Sequence, residues 1–137
     1  FMNLRPGDHV LVPTVMYWGL RKWLADFAVA WGLMVEFVDM SNLAAIRTAL
    51  RPGQSKLIWI ETPANPLLGG FRYCRHCRSG PWRGGLAGGG QHRCHAGLEP
   101  AAVIGADLVM HSATKYLNGH SDMIGGALIC ARQDDFC

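Results

Sequence analysis

Long apolar runs are missing from this sequence. No stretch approaches the roughly eighteen consecutive apolar residues of a membrane-spanning helix, and no charged start leads into an apolar stretch with a small-residue cleavage site. Membrane insertion and secretion are therefore not expected, and a cytoplasmic location is. Charge is scarce too, at 17% of residues with a net value of +3. Acidic residues are absent from Gly69 to Leu98, a block with five arginines, while the rest of the chain sets eight Lys and Arg against ten Asp and Glu. A basic excess confined to one block does not argue for a nucleic-acid partner. Internal repeats are also lacking. The five cysteines, an odd number outside any secretory context, read as free thiols rather than a disulfide framework. What is present is hydrophobic material, half of 137 residues, enough for the core of one domain or part of one.

From Phe1 to Leu68 the pattern alternates between strand and helix as in an α/β protein. Pro6-Gly7-Asp8 marks a turn and His9 to Val12 a short strand. Leu20, Trp23, Leu24, Phe27 and Trp31 share one apolar helix face, which Gly32 ends. Val35 to Val38 reads as a buried strand, and Ser41 as the N-cap of a helix with Leu43, Ile46, Ala49 and Leu50 inward and Pro52-Gly53 as terminator. Lys56 to Ile60 is a third strand. Strands joined through helices predict a mostly parallel sheet, whose ligands sit at the carboxyl ends of the strands, where Glu61-Thr-Pro-Ala-Asn65-Pro falls. After Gly97 order returns, with a short helix at Pro100 to Ile104, a strand at Ala106 to Met110, a polar loop at His111 to Ser121 and a strand at Gly125 to Cys130.

That polar loop carries the chemistry. Lys115 stands among hydroxyls, amides and imidazoles directly after an apolar strand. An amine on a flexible stem can condense with an aldehyde and, once displaced by a substrate amine, move protons at the substrate's carbons. Ser112 and Thr114 could donate hydrogen bonds to a phosphate. The bland alternative for an isolated S-x-T-K is a solvated loop with a surface lysine. The longer string Asp107-Leu-Val-Met-His-Ser-Ala-Thr-Lys-Tyr-Leu-Asn-Gly-His-Ser-Asp-Met-Ile-Gly-Gly126 overrides it. It resembles, nearly residue for residue, the cofactor-lysine signature of the Cys/Met-metabolism (trans-sulfuration) family of pyridoxal-phosphate enzymes. Gly7-Asp-His-Val-Leu-Val-Pro13, Tyr17 and Glu61-Thr-Pro-Ala-Asn-Pro66 resemble further landmarks of that family in the same order.

The resemblance implies the large domain of a fold-type I, aspartate-aminotransferase-like enzyme in a homo-oligomer, a tetramer, that acts on a sulfur amino acid. By the same resemblance Lys115 is the lysine that carries pyridoxal 5'-phosphate and shuttles protons, and Ser112 and Thr114 are ligands of the cofactor's phosphate. Tyr17 resembles the aromatic stacked on the cofactor ring, with core packing as its structural alternative. Asn65 resembles the residue near the ring oxygen and the substrate carboxylate. Glu61 is an orienting neighbour or simply a structural carboxylate. γ-Replacement of the cystathionine γ-synthase type and lyase chemistry on cystathionine or methionine both stay open. The family's upstream phosphate-binding segment and downstream substrate-carboxylate domain have no counterpart here, so the chain reads as an incomplete cofactor domain, family-like over 1–68 and 98–131.

Between those blocks the family calls for a helix, a strand and an aspartate that pairs with the pyridinium nitrogen and keeps the ring electron-withdrawing. Residues 69–97 hold nine glycines, no acidic residue and no helical or strand period. They are read as translated out of frame. Arg72 to Gly84 can be encoded so that a one-base shift gives Asp-Ile-Ala-Ala-Ile-Ala-Asp-Leu-Ala-His-Gly-Ala, an amphipathic helix. Permitted codons for Gly85 to Ala96 then give Ala-Leu-Leu-Val-Val-Asp-Asn-Thr-Val-Ala-Met-Pro, which contains the missing strand and the missing aspartate. A sheet without that strand would leave backbone groups unpaired at about one kcal/mol or more each, so the chain is expected to be inactive. Two rivals use the same residues: a small zinc module on Cys74, Cys77, His92, Cys94 and His95, and an arginine patch for phosphate. The out-of-frame reading expects the gene to spell GAC across the codons of Gly90 and Gln91 in the shifted frame; a different triplet there ends it.

Overall fold

The computed structural model describes residues 4–61, 86–91 and 107–130. Its centre is a six-stranded sheet in the order β2-β1-β3-β4-β5-β6. The strands are β1 (His9–Pro13), β2 (Met34–Val38), β3 (Ser55–Glu61), β4 (Leu86–Gln91), β5 (Leu108–Ser112) and β6 (Gly126–Cys130). All neighbours pair parallel except β5 with β6, which pair antiparallel. This is the expected mostly parallel α/β sheet. All five residues of β1 are buried, as both faces of a parallel strand are when helices cover them.

Alternation along β1 sends its side chains into two apolar layers. Val10 and Val12 pack with Leu24, Ala28, Leu33 and Leu57 on one side. Leu11 packs with Val38, Ile46, Ala49 and Ile58 on the other. Full burial of a Val, Leu or Ile side chain stabilises by about 1.5–3 kcal/mol, so these layers hold the sheet against its helices. The first layer is covered by α1 (Trp18–Trp23), which runs on into a wider π-type segment, Leu24–Ala28. The second is covered by α2 (Leu43–Ala49).

Three local expectations change. The inward seam of the first helical stretch is Leu20, Leu24 and Ala28, spaced by four, whereas Trp23, Phe27 and Trp31 stay largely exposed. The aromatic rings of this layer come instead from the strands, where Phe37 and Trp59 pack against the same cluster. The N-cap of α2 is Asn42, whose Oδ1 accepts from the amides of Ala44 (3.0 Å) and Ala45 (3.2 Å). Ser41 instead donates its amide and hydroxyl to Asp39, which holds the Asp39 carboxyl below its usual range. The third change concerns the sheet itself, which does not lack its central strand. Leu86–Gln91, with glycine at 88, 89 and 90, pairs between β3 and β5, Glu61 opposite Gly90 and Gln91 opposite His111. Ladder hydrogen bonds use backbone groups alone, so two flanking strands with open edges can pair with a segment that shows no side-chain period.

Toward the amino ends of the strands lies a polar chain that runs from a buried ring to the surface. The fully buried His9 ring bonds Ser55 Oγ through Nδ1 (2.8 Å) and Glu36 Oε2 through Nε2 (3.1 Å). Arg51 closes the set, with its guanidinium 2.9 Å from the same Glu36 oxygen and its amide donating to Ser55 Oγ at 2.9 Å. Three strands and the turn after α2 are tied together around the buried His9 and Ser55, with Glu36 and Arg51 carrying the network out to the surface. Burial and then the Arg51 charge push the His9 ring below its ordinary 6.5, while Glu36 pulls the other way. A depressed histidine favours the folded state when neutral, so the contribution is complete above pH 6.5 and is lost as pH falls below it. Denaturant midpoints measured from pH 7.5 to 5.5 should therefore decline below about 6.5. His9→Asn should remove that step and lower stability by about 1–3 kcal/mol throughout.

Candidate active site

Parallel strands deliver their carboxyl ends to one edge, and the residues of interest follow those ends. Tyr17 comes four residues after β1, Glu61 is the last residue of β3, Gln91 the last of β4, and Ser112 the last of β5. Sequence reasoning began the polar loop at His111, but His111 and Ser112 belong to β5, opposite Ala127 and Gly126. Asn65 lies outside the described residues, as do the five residues of the zinc alternative and the short helix read at Pro100 to Ile104. Among the described residues no His, Cys, Asp and Glu side chains gather in a group that could hold a metal ion.

The lysine loop leaves β5 as one π-type turn, Ala113–Leu117, capped by the amides of Asn118 on Ala113 O (2.9 Å) and Gly119 on Lys115 O (2.8 Å). Lys115 departs from helical geometry (φ −92°, ψ −111°), and its side chain is exposed at this kink. Ser112, half-buried, makes no capping hydrogen bond to the turn. Thr114 is engaged otherwise. Its hydroxyl accepts from Gly125 N at 2.9 Å and reaches Gly125 O at 3.1 Å, where its own amide also donates. A hydroxyl has one proton to donate, so with that proton on Gly125 O Thr114 staples the loop to the start of β6, and Ser112 is the freer donor for an anion. Beyond the turn, Asn118 Nδ2 donates to Asp122 Oδ1 (2.7 Å) and His120 Nδ1 to Asn118 O (2.7 Å). Ser121 takes a left-handed φ of 59°.

Tyr17 is held by its backbone. Its amide donates to Glu61 Oε2 at 2.7 Å, and its carbonyl accepts from Arg21 N at 3.0 Å to open α1. Glu61 is fully buried. The ring, about two-fifths exposed, lies over Gly19, where an added Cβ would meet Tyr17 Cε1 at 2.8 Å. Arg21 anchors α1 further by donating to Thr14 O and stacking its guanidinium 4.3 Å from the centre of the Phe37 ring. Sequence reading passed over Gly19 and Gly125. A signal existed for the first, since glycine inside a helix costs about 1 kcal/mol relative to alanine and wants a reason.

The sequence matches the Cys/Met metabolism PLP-dependent enzyme family over residues 1–71 and 97–136. The chain belongs to that family. Among similar proteins, the cystathionine gamma-synthase of Mycobacterium tuberculosis is 36% identical over 126 residues, 92% of this chain and 32% of that protein. The crystal structure of cystathionine gamma synthase from Xanthomonas oryzae pv. oryzae, in complex with aminoacrylate and cysteine, superposes with a TM-score of 0.85 at 34% identity, over 96% of this chain and 34% of that one. That of cystathionine gamma-lyase from Lactobacillus plantarum complexed with L-serine gives 0.92 at 29%, over 99% and 35%. The chain thus spans about a third of the relatives it matches. For a member of this PLP-dependent family, the donor set fits the cofactor in part: an exposed primary amine at Lys115, an uncommitted cap hydroxyl at Ser112 and an aromatic ring at Tyr17 share one sheet edge. A carboxylate for the ring nitrogen does not fit, because β4 ends in Gly90-Gln91 and no acidic residue lies from Gly69 to Leu98.

The Thr114 staple can be tested directly. Thr114→Val should cost about 1–2 kcal/mol of stability and speed exchange of the Gly125 amide followed by NMR, whereas Ser112→Ala should change stability by less than about 0.5 kcal/mol.

Proposed function

We propose that this chain is an incomplete cofactor domain of a pyridoxal-phosphate-dependent trans-sulfuration enzyme, with Lys115 as the residue that holds the cofactor. The parent acts on a sulfur amino acid in the cytoplasm as a homotetramer. Its reaction is γ-replacement of the cystathionine γ-synthase kind or the related lyase cleavage. The observation that carries the reading is an exposed lysine on a kinked turn directly beyond β5, at the sheet edge that also bears Tyr17 and Ser112. Among the described residues no helix is long and apolar enough to cross a membrane.

When bound, pyridoxal phosphate supplies an aldehyde and an electron sink for the pair left at a substrate carbon. The chain's own residues orient and move protons. Lys115 Nζ would hold the cofactor and, when free of it, could take the proton from the substrate's α carbon. Ser112 Oγ would donate to the phosphate, the Tyr17 ring would lie on the cofactor ring, and Asn65, by the family resemblance, would serve its ring oxygen and the substrate carboxylate. Thr114 would be the second phosphate ligand, and its bonds to Gly125 keep the turn closed. The absent carboxylate at the end of β4 supports the view that the chain captures cofactor without completing turnover. The break in the family match over residues 72–96 supports an out-of-frame origin for that block.

Borohydride reduction of the chain after incubation with pyridoxal phosphate, followed by peptide mass spectrometry, tests the reading. The label should fall on Lys115, vanish in Lys115→Ala and be accompanied by no turnover of cystathionine or its precursors. Label on another lysine, or on none, sinks it.

A further inference from the structure

We infer that Glu61 and Gly19 together form the seat of the Tyr17 ring, which makes both of them positioning residues. The inference rests on the reading above only for what the ring covers; the seat itself is a matter of geometry.

Tyr17 stands between the end of β1 and the first turn of α1. As the residue before the helix it has an amide that the helix cannot use, in an extended conformation (φ −54°, ψ 122°) with no capping by its own side chain. Glu61 reaches across from β3 and takes that amide at 2.7 Å, while Arg21 N takes the carbonyl on the other side at 3.0 Å. With both backbone groups engaged the two peptide planes that flank Cα are held, and with them the direction of Cα–Cβ. Glu61 is fully buried, so its bond to the Tyr17 amide meets little competition from water. The second constraint acts on the ring. Cε1, Cζ and the hydroxyl oxygen of Tyr17 lie 2.8, 3.0 and 3.0 Å from where a Cβ on residue 19 would stand. Only glycine leaves that space, although alanine would suit the helix better. Each residue gives up something locally, a buried carboxylate in one case and a helix glycine in the other, and both concessions converge on one side chain.

The two substitutions separate positioning from mere structure. Gly19→Ala should leave the unfolding midpoint unchanged or higher, since alanine favours helix, yet weaken pyridoxal phosphate binding by roughly three- to tenfold, the size of one displaced aromatic contact. Glu61→Ala, or Glu61→Met if the smaller side chain prevents folding, should speed exchange of the Tyr17 amide by about tenfold. The same variant should weaken the nuclear Overhauser effect between the Tyr17 ring and the Gly19 α protons in cofactor-free protein. Glu61→Gln keeps an acceptor oxygen and should stay within about twofold of the parent chain in exchange. In a Tyr17→Ala background neither Gly19→Ala nor Glu61→Ala should reduce affinity further. Unchanged exchange and Overhauser effect in Glu61→Ala or Glu61→Met, or equal affinity losses with and without Tyr17, would overturn the seat. Failure of Lys115 labelling with those cofactor-free signals as expected would overturn the functional reading and leave the seat standing.

Discussion

Parallel pairing of β1 with β2 and β3, under an apolar layer on each face, is the constraint from which the rest follows. Register and direction come with it: His9 lies opposite Met34 and Ser55, and Leu11 opposite Glu36 and Ile58. Because β1 to β5 run the same way, the loops that leave their carboxyl ends emerge at one edge and their starts collect at the other. Slipping β1 by one residue would turn Val10, Leu11 and Val12 to the wrong layers, so the burial that stabilises the sheet also specifies it.

The two edges use polar groups differently. At the amino edge His9, Ser55, Glu36 and Arg51 bond one another, from a buried ring and hydroxyl out to an exposed guanidinium. The carboxyl edge also spends polar groups on holding its own chain, Glu61 on the Tyr17 amide and the Thr114 hydroxyl on Gly125, but these bonds leave Lys115 and the Tyr17 ring open to solvent. Buried hydrogen bonds there position groups that are themselves exposed, the division of labour that a binding edge on a rigid sheet requires.

The middle of the sheet separates architecture from chemistry. Pairing at β4 requires peptide groups in register, which Leu86–Gln91 supplies in spite of its glycines. Electron withdrawal by the cofactor requires a carboxylate at a particular position, and no backbone can substitute for one. A chain can therefore match the shape of its relatives over nearly its whole length, with a TM-score of 0.85 to the Xanthomonas synthase, while it lacks a group that their shared chemistry calls for.

Strand periods, turn residues and the string around Lys115 were enough, from the sequence alone, to give the α/β class, five of the six strands to within about two residues, and the family. Those features are local, and local patterns survive in a sequence whatever the rest of the chain does. Tertiary structure alone decided the others. Packing against β1 placed Leu24 and Ala28, and not Trp23 or Phe27, in the buried seam, and the open edges of β3 and β5 recruited a strand from a block with no period. Thr114 Oγ1 met Gly125 across a turn, and Glu61 reached Tyr17 across 44 positions of sequence. Each of these depends on which groups meet in space, and sequence spacing does not encode such meetings until the sheet has brought them together.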